Sequence, residues 1–212
     1  MLSRTIPLFP LPNVVLFPNV FLPLHIFEPR YRAMVADALE GDRMIGIVLL
    51  KPGWEEDYEG RPPVYPIGGN GLITHAERLP DGCYNIVLRG LEKFRIVHEA
   101  HEADLPYRRA HVEVMIEDTV PCDRDRLRAH RQRLEALVVP AGDGAGLDQK
   151  LPITLSDEDL VHALAQYLAL EPLERQALLE RDGVRARCES LLELLEMREL
   201  LAERPWYRQR PH

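Results

Sequence analysis

The string His98-Glu99-Ala100-His101-Glu102 comes nearest to a metal-binding signature in this chain. Two imidazoles four residues apart on a helix sit over one ion, with the intervening glutamate as a base. Here the histidines are only three apart and follow a strand-like run, where positions 98 and 101 point to opposite faces. The spacing therefore predicts a solvated loop and no metal. Serine occurs only at Ser3, Ser156 and Ser190, none within a GxSxG elbow. A serine–lysine dyad would have to draw on Lys51, Lys93 and Lys150, none of which stands in a recognisable motif. Cys83, Cys122 and Cys188 are unpaired in sequence, so neither a disulfide framework nor a cysteine zinc site is expected. Cys83 falls in a strand pattern and Cys188 in a helix pattern, which predicts burial for both. Gly68-Gly69-Asn70-Gly71 is the one glycine cluster; it lacks GxGxxG spacing, and no GxxxxGK[ST] exists. It is read as a turn or bulge needing positive φ. No catalytic residue, metal or cofactor is expected, and the chain is predicted not to be an enzyme.

The elements that would position any site follow from patterning. With 212 residues, 46% of them hydrophobic and 28% charged, the chain can bury a core without staples. Up to about residue 118 the sequence reads as short strands with turn punctuation: Thr5 to Leu8, Phe21 to His25 and Met44 to Leu50 are apolar runs of strand length. Pro29, then Tyr31, Met34, Val35 and Ala38 at helical spacing, predict an inserted helix over 29–40 closed by Gly41. Leu79-Pro80-Asp81-Gly82 predicts a hairpin turn into the alternating run Tyr84, Ile86, Leu88. Phe94, Ile96 and then Ala110, Val112, Val114 and Ile116 continue the alternation, so the strands are expected to close into a small, mostly antiparallel barrel. Pro52 to Gly60 reads as an exposed acidic loop around Trp54.

After Pro121 the pattern turns helical. Leu127, Leu134, Leu137 and Val138 form one stripe over 123–138. Glycines at 142, 144 and 146 mark a flexible linker at about 140–150. Three further helices are expected: one capped by Ser156 with the stripe Leu160, Leu164, Tyr167 and Leu168; one opened by Pro172 and ended by Gly183; and one over about 184–203 carrying Leu191, Leu194, Leu195, Met197 and Leu201. The fold class is thus α+β, with a barrel subdomain over 1–120 and a helical-bundle subdomain over 121–212.

Charge narrows the function classes. A net charge of −8 works against binding a polyphosphate, whose affinity comes from cations releasing counterions. The apolar N-terminal run carries prolines at 7, 10, 12, 18 and 23, which forbid a continuous helix, and no stretch reaches the length of a membrane span. A cytoplasmic protein without membrane association is expected. Each of those prolines also removes a backbone donor, which suits edge or bulged strands able to receive an extended peptide. The residues beside them supply the candidate peptide contacts: Phe9, Leu11, Phe17, Pro18 and Phe21, with Trp54 and Tyr65 from the following loop. For Phe9, Phe17, Phe21 and Phe27 taken singly, however, barrel core is the expected place.

Residues 6–35, IPLFPLPNVVLFPNVFLPLHIFEPRYRAMV, resemble the opening of the LON domain, the N-terminal substrate-binding domain of Lon proteases. The match rests on Pro7 to Leu11, Leu16 to Pro18, Leu22 to Leu24 and Ile26 to Arg32. Gly71-Leu72-Ile73, the turn at 79–82, Gly90 to Ile96, Pro106-Tyr107, and Leu173 to Gln176 with Leu191 to Leu195 extend it. The resemblance implies a PUA-like barrel followed by a helical bundle, recognition of unfolded or apolar protein segments, and no chemistry. The sequence stops at His212, short of the coiled coil and ATPase of a full protease, so a stand-alone domain is expected, with an ATP-dependent protease acting in trans as a possible recipient of clients. RNA or nucleotide binding through the barrel is the alternative, with Arg124, Arg128 and Arg131 as its best feature.

Overall fold

Pro29 has no N–H to leave orphaned in a first helical turn, and the spacing of Tyr31, Met34, Val35 and Ala38 gives a single buried stripe, so α1 (Pro29–Glu40) forms where the pattern predicts. Gly41 closes it, although with φ −103° the glycine is not left-handed; Arg43, φ 62°, takes the left-handed turn and donates its amide to Ala38. The computed structural model describes residues 3–58, 60–100, 104–117, 121–138 and 155–202, side chains at 121–124 and 202 excepted. The linker expected at 140–150, His101 and Glu102 lie outside these residues, as does the side chain of Arg124.

Two compact units are distinguished: Met1–Ile116 with Leu170–Glu180, and Glu117–Ala169 with Arg181–His212. The first holds a mixed six-stranded sheet of β1 (Ser3–Leu11), β2 (Phe21–Ile26), β3 (Met44–Leu49), β4 (Ile67–Arg78), β5 (Tyr84–Ala100) and β6 (Arg108–Met115), in the order β2-β5-β4-β3-β1-β6. β5 also pairs with β6, so the pairings β5-β4-β3-β1-β6-β5 return on themselves, and β2 lies outside this ring, bonded to the first part of β5. Among the described strands only β1 and β3 run parallel, which requires the long crossover that β2 and α1 provide. β1 changes partner at Leu8: residues 3–8 run against β6 and residues 8–11 along β3. Pro7 and Pro10 flank that switch, so β1 is not the edge strand its prolines suggest. A strand that pairs on one side at a time tolerates missing donors on the other.

Inside the ring, Ile6, Leu8, Val48, Phe94, Ala110 and Val112 pack into one core cluster. The run 12–20 crosses β4 and β5 with Leu16 and Phe17 fully buried. It lies so near the strands that a Cβ on Gly69 would stand 2.0 Å from the Leu16 carbonyl oxygen, and one on Gly90 1.9 Å from that of Phe17. The glycine cluster 68–71 is therefore a strand with a bulge between Gly69 and Gly71; it needs close approach, not the positive φ expected of it. Gly82, φ 83°, does take the left-handed position in the 79–82 turn, where its amide donates to Leu79 and the Asp81 carboxylate accepts from the Cys83 amide. Cys83 itself is part-exposed just before β5, outside the strand that was to bury it. Ile116, expected to continue the inward alternation, lies past the end of β6 and is 66% exposed.

α4 (Pro172–Glu180) groups with the sheet and is held by buried polar anchors. Gln176 donates to the Ile67 carbonyl at 2.9 Å, and the buried Lys93 ammonium lies 3.5 Å from the Leu179 carbonyl, at the negative end of the helix. Part of the Gly90–Ile96 motif is thereby explained by structure: Gly90 for close approach, Lys93 for α4, Phe94 for the core.

The second unit contains α2 (Pro121–Val138), α3 (Asp157–Tyr167) and α5 (Gly183–Ala202). α2 begins two residues before the predicted start. The Ser156 hydroxyl accepts from the Asp159 amide at 3.0 Å and donates to its carboxylate, the cap read from sequence. Gly183, φ 82°, opens α5; α4 has already ended at Glu180. Arg187 on α5 is fully buried, bound through both terminal nitrogens to Glu117 at 2.8 and 3.0 Å. It also lies 2.8 Å from Nε2 of His162, which must accept. On the predicted α5 stripe Leu191 is buried while Met197 is 58% exposed. Among the described residues no helix is long and apolar enough to cross a membrane.

Candidate peptide-binding site

β2 has one hydrogen-bonding side committed to β5, and among the described residues no strand pairs with the other. Alternation does the rest. Phe21, Pro23 and His25 are exposed, Leu22 and Leu24 are half-buried, and Ile26 is core. Phe27 continues the exposed set, so the two phenylalanines stand 51% and 63% open to solvent. Pro23 takes one donor away from the strand, which blunts an open edge against indiscriminate pairing.

The register of this strand is fixed by polar cross-links on the same face. Nδ1 of His25 meets Oδ1 of Asn85 at 2.8 Å, and the Asn85 amide donates to Glu77 at 3.2 Å, so Nδ1 carries the proton. The His25 and Phe27 rings lie nearly parallel at 6.3 Å. At the start of β2, the Pro18–Asn19 turn brackets Gly90: Asn19 donates to its carbonyl and Gly90 donates to Val20, both at 2.9 Å, while Arg89 donates to the Asn19 side chain.

The sequence candidates separate into groups. Phe9 and Phe17 are 6% and 0% exposed, so both belong to the core and neither offers a contact surface. Phe9 packs on Tyr31, with ring centres 4.3 Å apart. Phe21, beside the part-exposed Pro18, belongs to the β2 edge. Leu11 and Tyr65 are both part-exposed and both bonded to the Leu49–Leu50 segment, the Leu11 carbonyl accepting from Leu50 and Tyr65 donating to Leu49. At least two strands separate β1 from β2 in the sheet order, so these candidates do not line one groove. Trp54 stands on a single 3-10 turn, Trp54–Asp57, edge-on to Tyr58.

That turn is fastened by residues the sequence reading passed over. Glu28 accepts from Arg30 at 2.9 Å and from the Tyr58 hydroxyl at 2.6 Å, while the Arg30 guanidinium stacks 4.8 Å from the ring centres of both Tyr31 and Tyr58. Burial pushes the Tyr31 phenol up to about 12, so it remains a donor. Phe27 is the other exposed aromatic not singled out from sequence; the signal was present in the two-residue period Phe21, Pro23, His25, Phe27.

Other expected chemistry lies elsewhere. His98 is within β5 and faces His111 across β6, rings 4.3 Å apart, with His111 Nδ1 bonded to the Thr5 hydroxyl at 2.7 Å. No group of three potential metal ligands occurs among the described residues. Arg131, on the arginine stripe of α2, is bonded to Asp157, Glu135 and the Leu155 carbonyl at 2.8–2.9 Å.

Residues 5–197 match the model of the ATP-dependent protease La (LON) substrate-binding domain. Lon protease 2 of Myxococcus xanthus is 32% identical over 209 residues, and Lon protease of Anaeromyxobacter dehalogenans 30% identical over 209 residues. Each match takes in 94% of this chain but 24% of the relative, so the chain spans about a quarter of the length of these proteins. Among solved structures, a Lon N-terminal domain protein from Xanthomonas campestris superposes with a TM-score of 0.63 at 24% identity, covering 90% of this chain and 98% of that one. The N-terminal domain of Mycobacterium avium complex Lon protease gives 0.67 at 18%, covering 91% and 98%. Identities this low carry the fold alone, but the family match extends over nearly the whole chain: it belongs to the LON substrate-binding domain family.

Proposed function

We propose that the chain is a non-catalytic recognition module that binds extended, apolar protein segments by strand addition along the outer side of β2, with Phe21 and Phe27 as its apolar contacts. The observation that carries this reading is the edge itself: among the described residues β2 is paired on one side only, with one large exposed aromatic at its start and another, Phe27, just past its end in the same two-residue period. Main-chain bonds supply sequence-independent affinity in such a mode, and side-chain contacts add preference. A site accepting many sequences lacks closely fitted polar contacts, so affinities at the micromolar end are expected, on the order of −8 kcal/mol or weaker. The closed ring of strands is read as a PUA-like barrel occupying about 1–120, and α2, α3 and α5 as the helical bundle within 121–212. Delivery of bound segments to an ATP-dependent protease in trans, in the cytoplasm, completes the proposal.

Fluorescence anisotropy with a labelled, unstructured apolar peptide tests it. Phe21→Asp and Phe27→Asp each place a charge on the edge and should weaken binding about tenfold while leaving the melting transition in place. Unchanged affinity in both variants, or binding of single-stranded RNA and not of peptide, would refute the assignment.

A further inference from the structure

A cavity of about 440 Å³ opens beside the end of β1, the first turn of α1 and the stretch leading into β6. Three arginines line it, Arg30, Arg61 and Arg108, with Tyr31 and Tyr107 as aromatic walls and Leu105 and Pro106 as the apolar part. None of its described lining residues is acidic.

Two of the arginines are fixed and neutralised. Arg108 is buried and bound by the Glu99 carboxylate through Nε and Nη2, and its Nη1 donates to the Pro62 carbonyl at 2.7 Å. Arg30 is held by Glu28 through Nε and Nη2, with Nη1 on the Tyr58 carbonyl at 3.2 Å. A guanidinium has five N–H donors, so both forks keep hydrogens beyond these bonds. Arg61 differs. Its side chain is 40% exposed and, among the described residues, its one charge partner is the already committed Glu99 at 3.9 Å and its guanidinium makes no hydrogen bond. Asp57 binds the Arg61 backbone amide, not its guanidinium. Unfilled guanidinium donors therefore face a partly apolar cavity, at whose margin Asp37 accepts from the Tyr107 hydroxyl and Asp57 from the Arg61 amide. Such donors beside an apolar wall suit an anionic group on an aliphatic body, and a planar fork suits a carboxylate.

We propose that this cavity is a second binding site of the chain, for a carboxylate on a protein segment, with Arg61 as the residue that closes on it. It is separate from the β2 edge and stands whether or not that edge binds peptide. The carboxylate comes either from a chain end or from an acidic side chain, and the test separates the two.

The isotope-labelled 212-residue protein is titrated with three acetylated peptides: Ala-Ala-Leu-Leu with a free C-terminus, the same peptide amidated, and amidated Ala-Glu-Leu-Leu. The free acid is expected to shift the amides of Arg61, Leu105, Tyr107 and Arg108, to bind about tenfold more tightly than its amide, and to lose about tenfold in affinity in Arg61→Gln. Phe21→Asp, which disables the proposed β2 site, should leave this binding unchanged. Equal binding by the glutamate peptide also supports the site and assigns it to acidic side chains. Equal binding by the plain amide, no shift with any peptide, or an Arg61→Gln affinity within twofold of wild type would overturn the proposal.

Discussion

Gly90→Ala puts the path of residues 12–20 to a quantitative test. The added Cβ would lie 1.9 Å from the Phe17 carbonyl oxygen and 2.9 Å from its carbon. Carbon and carbonyl oxygen approach no nearer than about 3.3 Å, so the crossing segment must withdraw by more than an ångström. Withdrawal strains or breaks the two backbone bonds that bracket Gly90, those with Asn19 and Val20, each contributing about 1 kcal/mol. It also loosens Leu16 and Phe17, both fully buried, whose complete burial stabilises by about 1.5–3 kcal/mol each. With partial loss of the apolar contribution, the expected cost is about 3–5 kcal/mol. At about 2–4 °C per kcal/mol for a chain of this size, the melting temperature falls by about 10 °C or more. Urea and thermal unfolding followed by far-ultraviolet circular dichroism would measure it, against two internal controls. Gly41→Ala meets nothing nearer than 3.6 Å and should stay within about 0.5 kcal/mol. Gly53→Ala has open space but sits at φ +86°, so about 1–2 kcal/mol of conformational strain is expected. A Gly90→Ala protein within about 1 kcal/mol of wild type would mean that the segment does not lie on β5 as described.

Phe17→Ala should cost about 3–5 kcal/mol in unfolding free energy, whereas Phe21→Ala should cost less than about 1 kcal/mol and act on peptide affinity instead; a reversal in chemical denaturation would exchange their roles as core and contact. Glu117→Gln removes the carboxylate charge that the fully buried Arg187 binds through both terminal nitrogens and should destabilise by about 3–5 kcal/mol, a loss that a calorimetric scan would miss only if the pair were not buried. In native protein at pH 8, iodoacetamide should modify the part-exposed Cys83 and spare Cys188, whose thiol burial pushes up to about 12; mass spectrometry finding Cys188 alkylated before unfolding would contradict its burial.

The elements proved legible where one residue's chemistry decides its conformation. Pro29 opened α1, Ser156 capped α3, Gly82 turned the hairpin, and two-residue alternation placed Tyr84, Ile86 and Leu88 inward. What stayed hidden depended on partners distant in sequence. Nothing local distinguishes Phe17 from Phe21, since one is buried because the crossing segment meets the glycines of β4 and β5 and the other is exposed because β2 lies outside the ring. Proline marks β1 as donor-poor, but only the pairing shows that it changes neighbour at Leu8 and is no edge. Lys93, Gln176, Arg108 and Arg187 read as surface residues by type, and each is buried because a carbonyl or carboxylate far along the chain receives it. Among the candidate contacts, the burial of Phe9 and Phe17 and the exposure of Phe21 could be told apart only from the sheet.

Amide hydrogen exchange in the presence of a saturating apolar peptide reads strand addition at β2 residue by residue. Strand addition predicts new protection across Phe21–Ile26, where every non-proline residue has an amide that can join or be shielded by an added strand, and little change at Gly46 and Ile47 of β3 or Gly71 and Leu72 of β4, which already have a paired strand on each side. Protection confined to the helices of the second unit, or none in β2 at a peptide concentration that saturates binding, would contradict the account.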